Sequence, residues 1–272
     1  VGRSVILPKN VFDKKKLFKD NRFLILASVG LLPVFLIKFT FFSGLTFYAI
    51  ALYFSMIWGL FYYYLFKTDQ VNLKSSILIF FLTQALILVL LLLQSLPGIS
   101  YLYSLTESSS ILYRLIGYIF GVGFFEELIK ALPLIYIARF SKTPLVPQSM
   151  VYYGLLSGTG FGATEGVLYQ TGLNSHLDYD TAFFMNVARL TSLPFLHSIW
   201  SGIAGYFIAF AYLYPKFRKS MFLLALGIPA LLHGFYDVFG WSLLGLVVTI
   251  SGVVLLVAYL NKGVDLQSKL KP

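Results

Sequence analysis

Apolar runs of about 20 residues recur from one end of this sequence to the other, and that recurrence restricts the fold more than any other feature. A helix of about 20 apolar residues crosses the roughly 30 Å hydrocarbon core of a bilayer. Within lipid, only helices and closed barrels satisfy their backbone polar groups internally, and these runs are too long for barrel strands. We read membrane segments at about 23–42, 45–66, 76–95, 111–138, 150–170, 183–214, 220–239 and 242–260. Only Ser43-Gly44 separates the first two, and only Gly240-Trp241 the last two. Of the 272 residues, 58% are hydrophobic and 12% charged, where soluble domains carry about 25% charged residues. The predicted fold is an all-α polytopic transmembrane helical bundle of about eight membrane helices.

The charges of the connections orient that bundle, because short cytoplasmic loops are enriched in Lys and Arg. With the N-terminus inside, alternation puts 17 of the 21 basic residues on the inner side. Seven lie in the first 22 positions; the others are Lys67, Lys74, Arg139, Lys142, Lys216, Arg218, Lys219, Lys262, Lys269 and Lys271. The outer connections, 96–110 and 171–182, carry no Lys or Arg and hold Glu107, Asp178 and Asp180. Both termini are therefore expected in the cytoplasm. Residues 1–22 read as a basic tail, 23–261 as one transmembrane domain, and 262–272 as a short second tail. The basic tail precedes a full-length apolar run, unlike a signal peptide, and Lys14-Lys15-Lys16 suits an anionic inner leaflet. The net charge of +10 follows from this topology and implies no nucleic-acid partner. The chain has no cysteine, which excludes disulfides, thiol catalysis and thiolate metal sites.

Against this background, the stretch from Phe124 to Pro133 places Glu126, Glu127 and Lys130 inside an apolar run. A single charge at the centre of a membrane helix costs about 3 kcal/mol on insertion scales, so three of them need partners, water or a task. Lys38, Arg114 and Arg189 reach or snorkel to the outer interface, and the other strongly polar ionisable residues within the runs are Glu165, His197, His233 and Asp237. Counting the rise per residue from the cytoplasmic end of each helix puts Glu126 and His233 at about 20 Å. Glu165 falls at about 22 Å, and His197 and Asp237 at about 25 Å. Four helices thus deliver their polar residues to one level, in the outer half of the membrane.

Spacing adds expected pairings. Glu126 and Lys130 are four apart and share a helix face. His233 and Asp237 are also four apart, so the carboxylate is expected to fix the imidazole tautomer. Phe161 shares a face with Glu165, and His197 with Ser201. Gly154, Gly158, Gly162 and Gly166 form a stripe that admits a neighbouring helix closely and brings Glu165 with it. Pro133, Pro194 and Pro229 interrupt backbone ladders beside the polar residues. Such a cluster suits peptide hydrolysis by activated water. One glutamate takes the proton of the water, an imidazole stabilises the oxyanion, and a protonated partner supplies the leaving amine.

Glu126-Glu127-x-x-Lys130, Phe161-x-x-x-Glu165, His197 and His233-x-x-x-Asp237, in that order on four successive helices, resemble the PrsW-type intramembrane proteases. Those belong with the CAAX prenyl endopeptidases in a glutamic membrane-protease superfamily. The resemblance covers residues 111–239. It implies a glutamic-type endopeptidase of the bacterial cytoplasmic membrane that cuts a membrane-anchored protein, such as an anti-sigma factor, near the outer face. It further implies that Glu126 or Glu127 activates the water, Glu126 being the leading choice. His233 and Asp237 would contact the carbonyl oxygen or orient that contact, and His197 would line the site. Glu165 would be a supporting carboxyl, Lys130 would set glutamate charge beside Phe161, and no cofactor would be needed. Two departures separate this chain from the prenyl branch, which has EExxxR and a second motif ending in His. A Glu126–Glu165 carboxylate pair would replace the Glu–His pair, and prenylated substrates are not implied.

Other functions use similar residues. Intramembrane Glu, His and Asp build proton relays in transporters, but transporters often show internal repeats, and no polar motif here occurs twice. A catalytic metal would draw on His197, His233, Glu126 and Glu165, although no HExxH pair is present. A scaffold that keeps the site without turnover is the remaining class.

Overall fold

The computed structural model describes residues 19–26, 43–172 and 176–269. The expected segment 23–42 and the Lys14-Lys15-Lys16 tail lie largely or wholly outside those residues. Among the described residues the chain is helical, with no strand. A short α1 (Asn21–Leu26) is followed by the long helices α2 (Ser43–Phe66) and α3 (Leu73–Gln94). A small helix, α4 (Pro97–Ser104), leads through a 3-10 turn to α5 (Ile111–Ile116). A π-helical turn over Gly117–Gly123 then joins α5 to α6 (Phe124–Phe140). The chain continues through α7 (Pro147–Thr171), α8 (Tyr179–Leu213), α9 (Arg218–Phe239) and α10 (Leu243–Lys269). The last helix runs on through Lys262 to Lys269, so most of the expected C-terminal tail is helical.

Among the described residues, five stretches are long and apolar enough to cross a membrane: Leu45–Phe66, Leu73–Gln94, Thr191–Leu213, Pro215–Phe239 and Leu243–Gly263. This is an integral multi-pass membrane protein. Neither the α5–α6 element nor α7 is among the five, and these carry Glu126, Glu127, Lys130 and Glu165. Their polar residues are tolerated because other helices cover them: from Ser149 to Ala163 every residue of α7 is buried. By contrast, α3 and α10 present exposed Leu, Ile, Val and Phe side chains along one side, as lipid contact requires.

The glycine stripe explains how α7 reaches its central place. A Cβ on Gly154 would strike the Ser201 backbone, one on Gly158 the His197 backbone, and one on Gly162 would lie 2.8 Å from Pro194 Cα. All three contacts are on α8, so α7 and α8 touch backbone to backbone, as small residues permit. Hydroxyls of α7 bond to α8 and to the other helices around it. Thr159 and Ser198 lie 2.8 Å apart, Thr83 and Ser157 lie 2.8 Å apart, and Ser157 donates to the Lys130 carbonyl at 2.7 Å.

The fourth expected segment, 111–138, is not one regular helix. The π-helical turn inserts an extra residue just before the double glutamate, a distortion that recurs at functional sites. Its last glycine also admits α9: a Cβ on Gly123 would lie 2.8 Å from the Ala230 carbonyl oxygen. That approach brings His233, one turn further along α9, towards α6.

Candidate active site

The polar residues of the four motifs converge around one cavity of about 840 Å³. Glu126, Phe161, Glu165, His197, His233 and Asp237 line it. Glu127 and Lys130 do not; they sit behind the wall with fully buried side chains. Exposure rises from that interior towards the cavity, with Glu126 at 8%, Glu165 at 19% and Asp237 at 23%. The cavity also reaches Glu107, Gly240 and Trp241, at the end of the bundle remote from the Lys67, Arg139, Lys142 and Arg218 connections.

The pairing within EExxK differs from expectation. Lys130 is bonded to Glu127, three residues back, at 2.6 Å, and not to Glu126 four residues back. Both spacings lie on one helix face, and the choice falls to the neighbours. Glu127 points at α8 and α9, where His197 and His233 also stand, while Glu126 turns to the cavity. The Lys130 ammonium further lies 2.7 Å from His197 Nδ1 and 4.4 Å from the centre of the Phe161 ring. A buried lysine is thereby held by one anion, one imidazole lone pair and the π face of Phe161, with the Trp200 ring farther off at 6.0 Å.

Proton positions follow from these contacts. An ammonium has only hydrogens to give, so His197 Nδ1 accepts and its proton sits on Nε2. That Nε2–H donates to Glu165 Oε2 at 2.7 Å. His233 Nδ1 donates to Glu127 Oε1 at 3.0 Å, which leaves His233 Nε2 as a bare lone pair. It faces Glu126 Oε2 at 3.6 Å and Asp237 Oδ2 at 3.5 Å, both beyond direct hydrogen bonding. The expected role of Asp237 in fixing the His233 tautomer is therefore filled by Glu127, which is nearer and accepts directly.

Two side chains that the sequence reading did not single out hold the imidazoles in place. Trp200 stacks on His233, with ring centres 4.6 Å apart, and meets His197 edge-on at 5.5 Å. It lies three residues after His197 on α8, a spacing that marks it as a neighbour on that face. Tyr103, from α4, forms part of the cavity wall. It sits in a connection without periodicity among 19 tyrosines, so the sequence offered no signal for it. Of the remaining residues considered, His176 is exposed, and Arg189 lines the cavity with its guanidinium 4.1 Å from the centre of the Tyr169 ring.

The residues also fit a divalent ion. Glu126, His197 and His233 can each offer one ligand atom, all within 4.8 Å of one another. His233 is oriented as metal-binding histidines usually are, with its other nitrogen donating to a carboxylate. His197 would have to exchange its Glu165 contact for the ion.

Residues 72–261 match the family described as PrsW family intramembrane metalloprotease. The chain is similar to Protease PrsW of Halalkalibacterium halodurans, with 30% identity over 115 residues, 42% of this chain and 50% of that protein. The chain thus matches about half the length of that curated relative. No solved structure matches the chain.

Proposed function

This chain belongs to the PrsW family, and from that premise we propose that it is an intramembrane endopeptidase in which Glu126 activates the hydrolytic water. The observation that carries the assignment is Glu126 Oε2, a buried carboxylate oxygen with no hydrogen-bond partner, on the wall of a cavity that a peptide segment can enter. Buried polar groups are nearly always paired. An unbonded acceptor on the wall of an open, charged cavity is positioned for something that arrives.

In the proposed reaction, Glu126 accepts a proton from water as the oxygen of that water attacks the scissile carbonyl carbon. The protonated Glu126 then delivers the proton to the leaving nitrogen as the C–N bond breaks, giving a carboxylate and an amine. Glu127 takes no part as a base, since Lys130 and His233 occupy its Oε1 and its unbonded Oε2 lies behind the cavity wall; it holds both partners in register. His233 Nε2 and Asp237 face the same space as Glu126 and accept hydrogen bonds from the attacking water, holding it against the carbonyl. Glu165, through His197, links the cavity to the Lys130 network.

A divalent ion held by Glu126, His197 and His233 would supply a more acidic water and a Lewis acid for the carbonyl. The proton inventory favours the metal-free form, because the His197 Nε2 proton is already directed at Glu165. The substrate class rests on the family resemblance, and the opening of the cavity supports where the cut would fall. A membrane-anchored protein, for example an anti-sigma factor, would be cut close to the face that carries Glu107 and Trp241.

The test is incubation of purified protein with single-span candidate substrates, with and without a chelator. Cleavage that survives chelation and is lost in Glu126→Gln supports the reading. Cleavage abolished by chelation and restored by a divalent ion replaces the glutamic mechanism with a metal-dependent one. Turnover retained in Glu126→Gln removes that residue from the chemistry.

A further inference from the structure

Among the described residues, a few buried side-chain oxygens and nitrogens have no hydrogen-bond partner, and two of these atoms belong to residues of the cavity wall: Glu126 Oε2 and Tyr103 Oη. The first only accepts when ionised, and the second is the hydroxyl of a phenol, a donor. A peptide group has the complementary pair of needs. An unwound membrane segment carries a bare carbonyl oxygen that must find a donor away from water.

The position of Tyr103 is built into the backbone. Helix α4 lies across the π-helical turn that precedes the double glutamate. A Cβ on Gly117 would lie 2.8 Å from Thr106 N and 3.0 Å from Leu102 O, and a Cβ on Gly121 would lie 3.0 Å from Leu102 C. Only glycines allow that approach, and the contacts fall on both sides of Tyr103. The tyrosine is therefore fixed relative to the turn that aims Glu126. Burial, and next the charge of Glu126, push the Tyr103 phenol above its ordinary value, so its proton stays on the oxygen. Gln94 lies close enough to act in the opposite sense but outside hydrogen-bonding geometry. Buried tyrosine hydroxyls ordinarily find a partner, and here none stands in hydrogen-bonding geometry among the described residues.

We infer that the Tyr103 hydroxyl donates a hydrogen bond to a main-chain carbonyl of the bound substrate segment, so that α4 is a substrate-binding shelf paired with Glu126. This rests on the peptidase reading above. Tyr103 is on this view a substrate-binding residue, and its contribution is separable from folding.

The test uses the full chain in nanodiscs and a synthetic single-span Leu/Ala peptide continued by an unstructured Gly/Ser segment with a fluorophore and quencher. Tyr103→Phe should lower kcat/KM by about tenfold, the factor for losing one hydrogen bond worth about 1.4 kcal/mol. Its melting temperature should stay at or above that of the unsubstituted protein, because a bare hydroxyl is removed. A structural tyrosine would instead lose activity and melting temperature together, and that result, or unchanged kcat/KM, overturns the inference. Independently, Tyr103→p-benzoylphenylalanine in the Glu126→Gln background should photocrosslink to the same peptide. Crosslinking without turnover by the unsubstituted protein would sink the peptidase reading and leave the contact standing. Turnover without crosslinking would remove the contact and leave the peptidase.

Discussion

Glu126 and Glu127 leave the same turn of α6 about 100° apart, and their carboxylates meet opposite surroundings. Glu127 Oε1 takes the Lys130 ammonium at 2.6 Å and His233 Nδ1 at 3.0 Å, in a region with no exposure. Oε2 of each glutamate lacks a bonded partner, but only Glu126 looks into the cavity. The first arrangement is a buried charge neutralised locally, the form in which an ionised group survives inside a membrane protein. The second is a group left available. The comparison separates residues that hold the site from those that act in it, although EExxK presents both as one motif.

The strongest way to break the holding region is Lys130→Met, which keeps the volume and removes the cation. With Glu127 left as an unpaired buried anion, unfolding in detergent should show a loss of about 3–5 kcal/mol, and turnover should fall with it. A stability within 1 kcal/mol of the starting protein would show that Glu127 is not held by charge.

A smaller effect is expected at the helix contact that positions His197. Gly158→Ala places a methyl group against the His197 backbone, and overpacking of this kind costs about 1–3 kcal/mol. Turnover should decline further than stability, since α8 carries His197 and Trp200 away from α6. Smallest is Phe161→Leu, which removes a ring 4.4 Å from the Lys130 ammonium. A desolvated cation–π contact is worth about 2 kcal/mol, and denaturant midpoints should register that amount while leaving the cleavage pattern unchanged.

Much of this organisation can be read from the sequence. Apolar runs locate the helices because a bilayer tolerates little else, and the glycine stripe at 154, 158 and 162 meets α8 as its spacing requires. The four motifs do reach one cavity. Pairing within the cluster is less legible, because three- and four-residue spacings both put side chains on one face. Lys130 therefore selects Glu127 for reasons that lie on α8 and α9. The π-helical turn at Gly117–Gly123 has no periodic signature in an apolar run, yet it sets where the glutamates point. Tyr103 becomes visible only when α4 is seen against that turn, since its neighbours in space are far from it in sequence.

The central claim is that adjacent glutamates divide the work, and the most direct measurement compares Glu126→Gln with Glu127→Gln for both turnover of a single-span substrate and melting temperature. Glu126→Gln should keep its melting temperature and lose turnover by about 10²–10⁴-fold. Glu127→Gln should melt lower, because Lys130 loses its counter-charge. The opposite pattern, with Glu126→Gln still cleaving and Glu127→Gln as stable as the starting protein, would contradict the division outright.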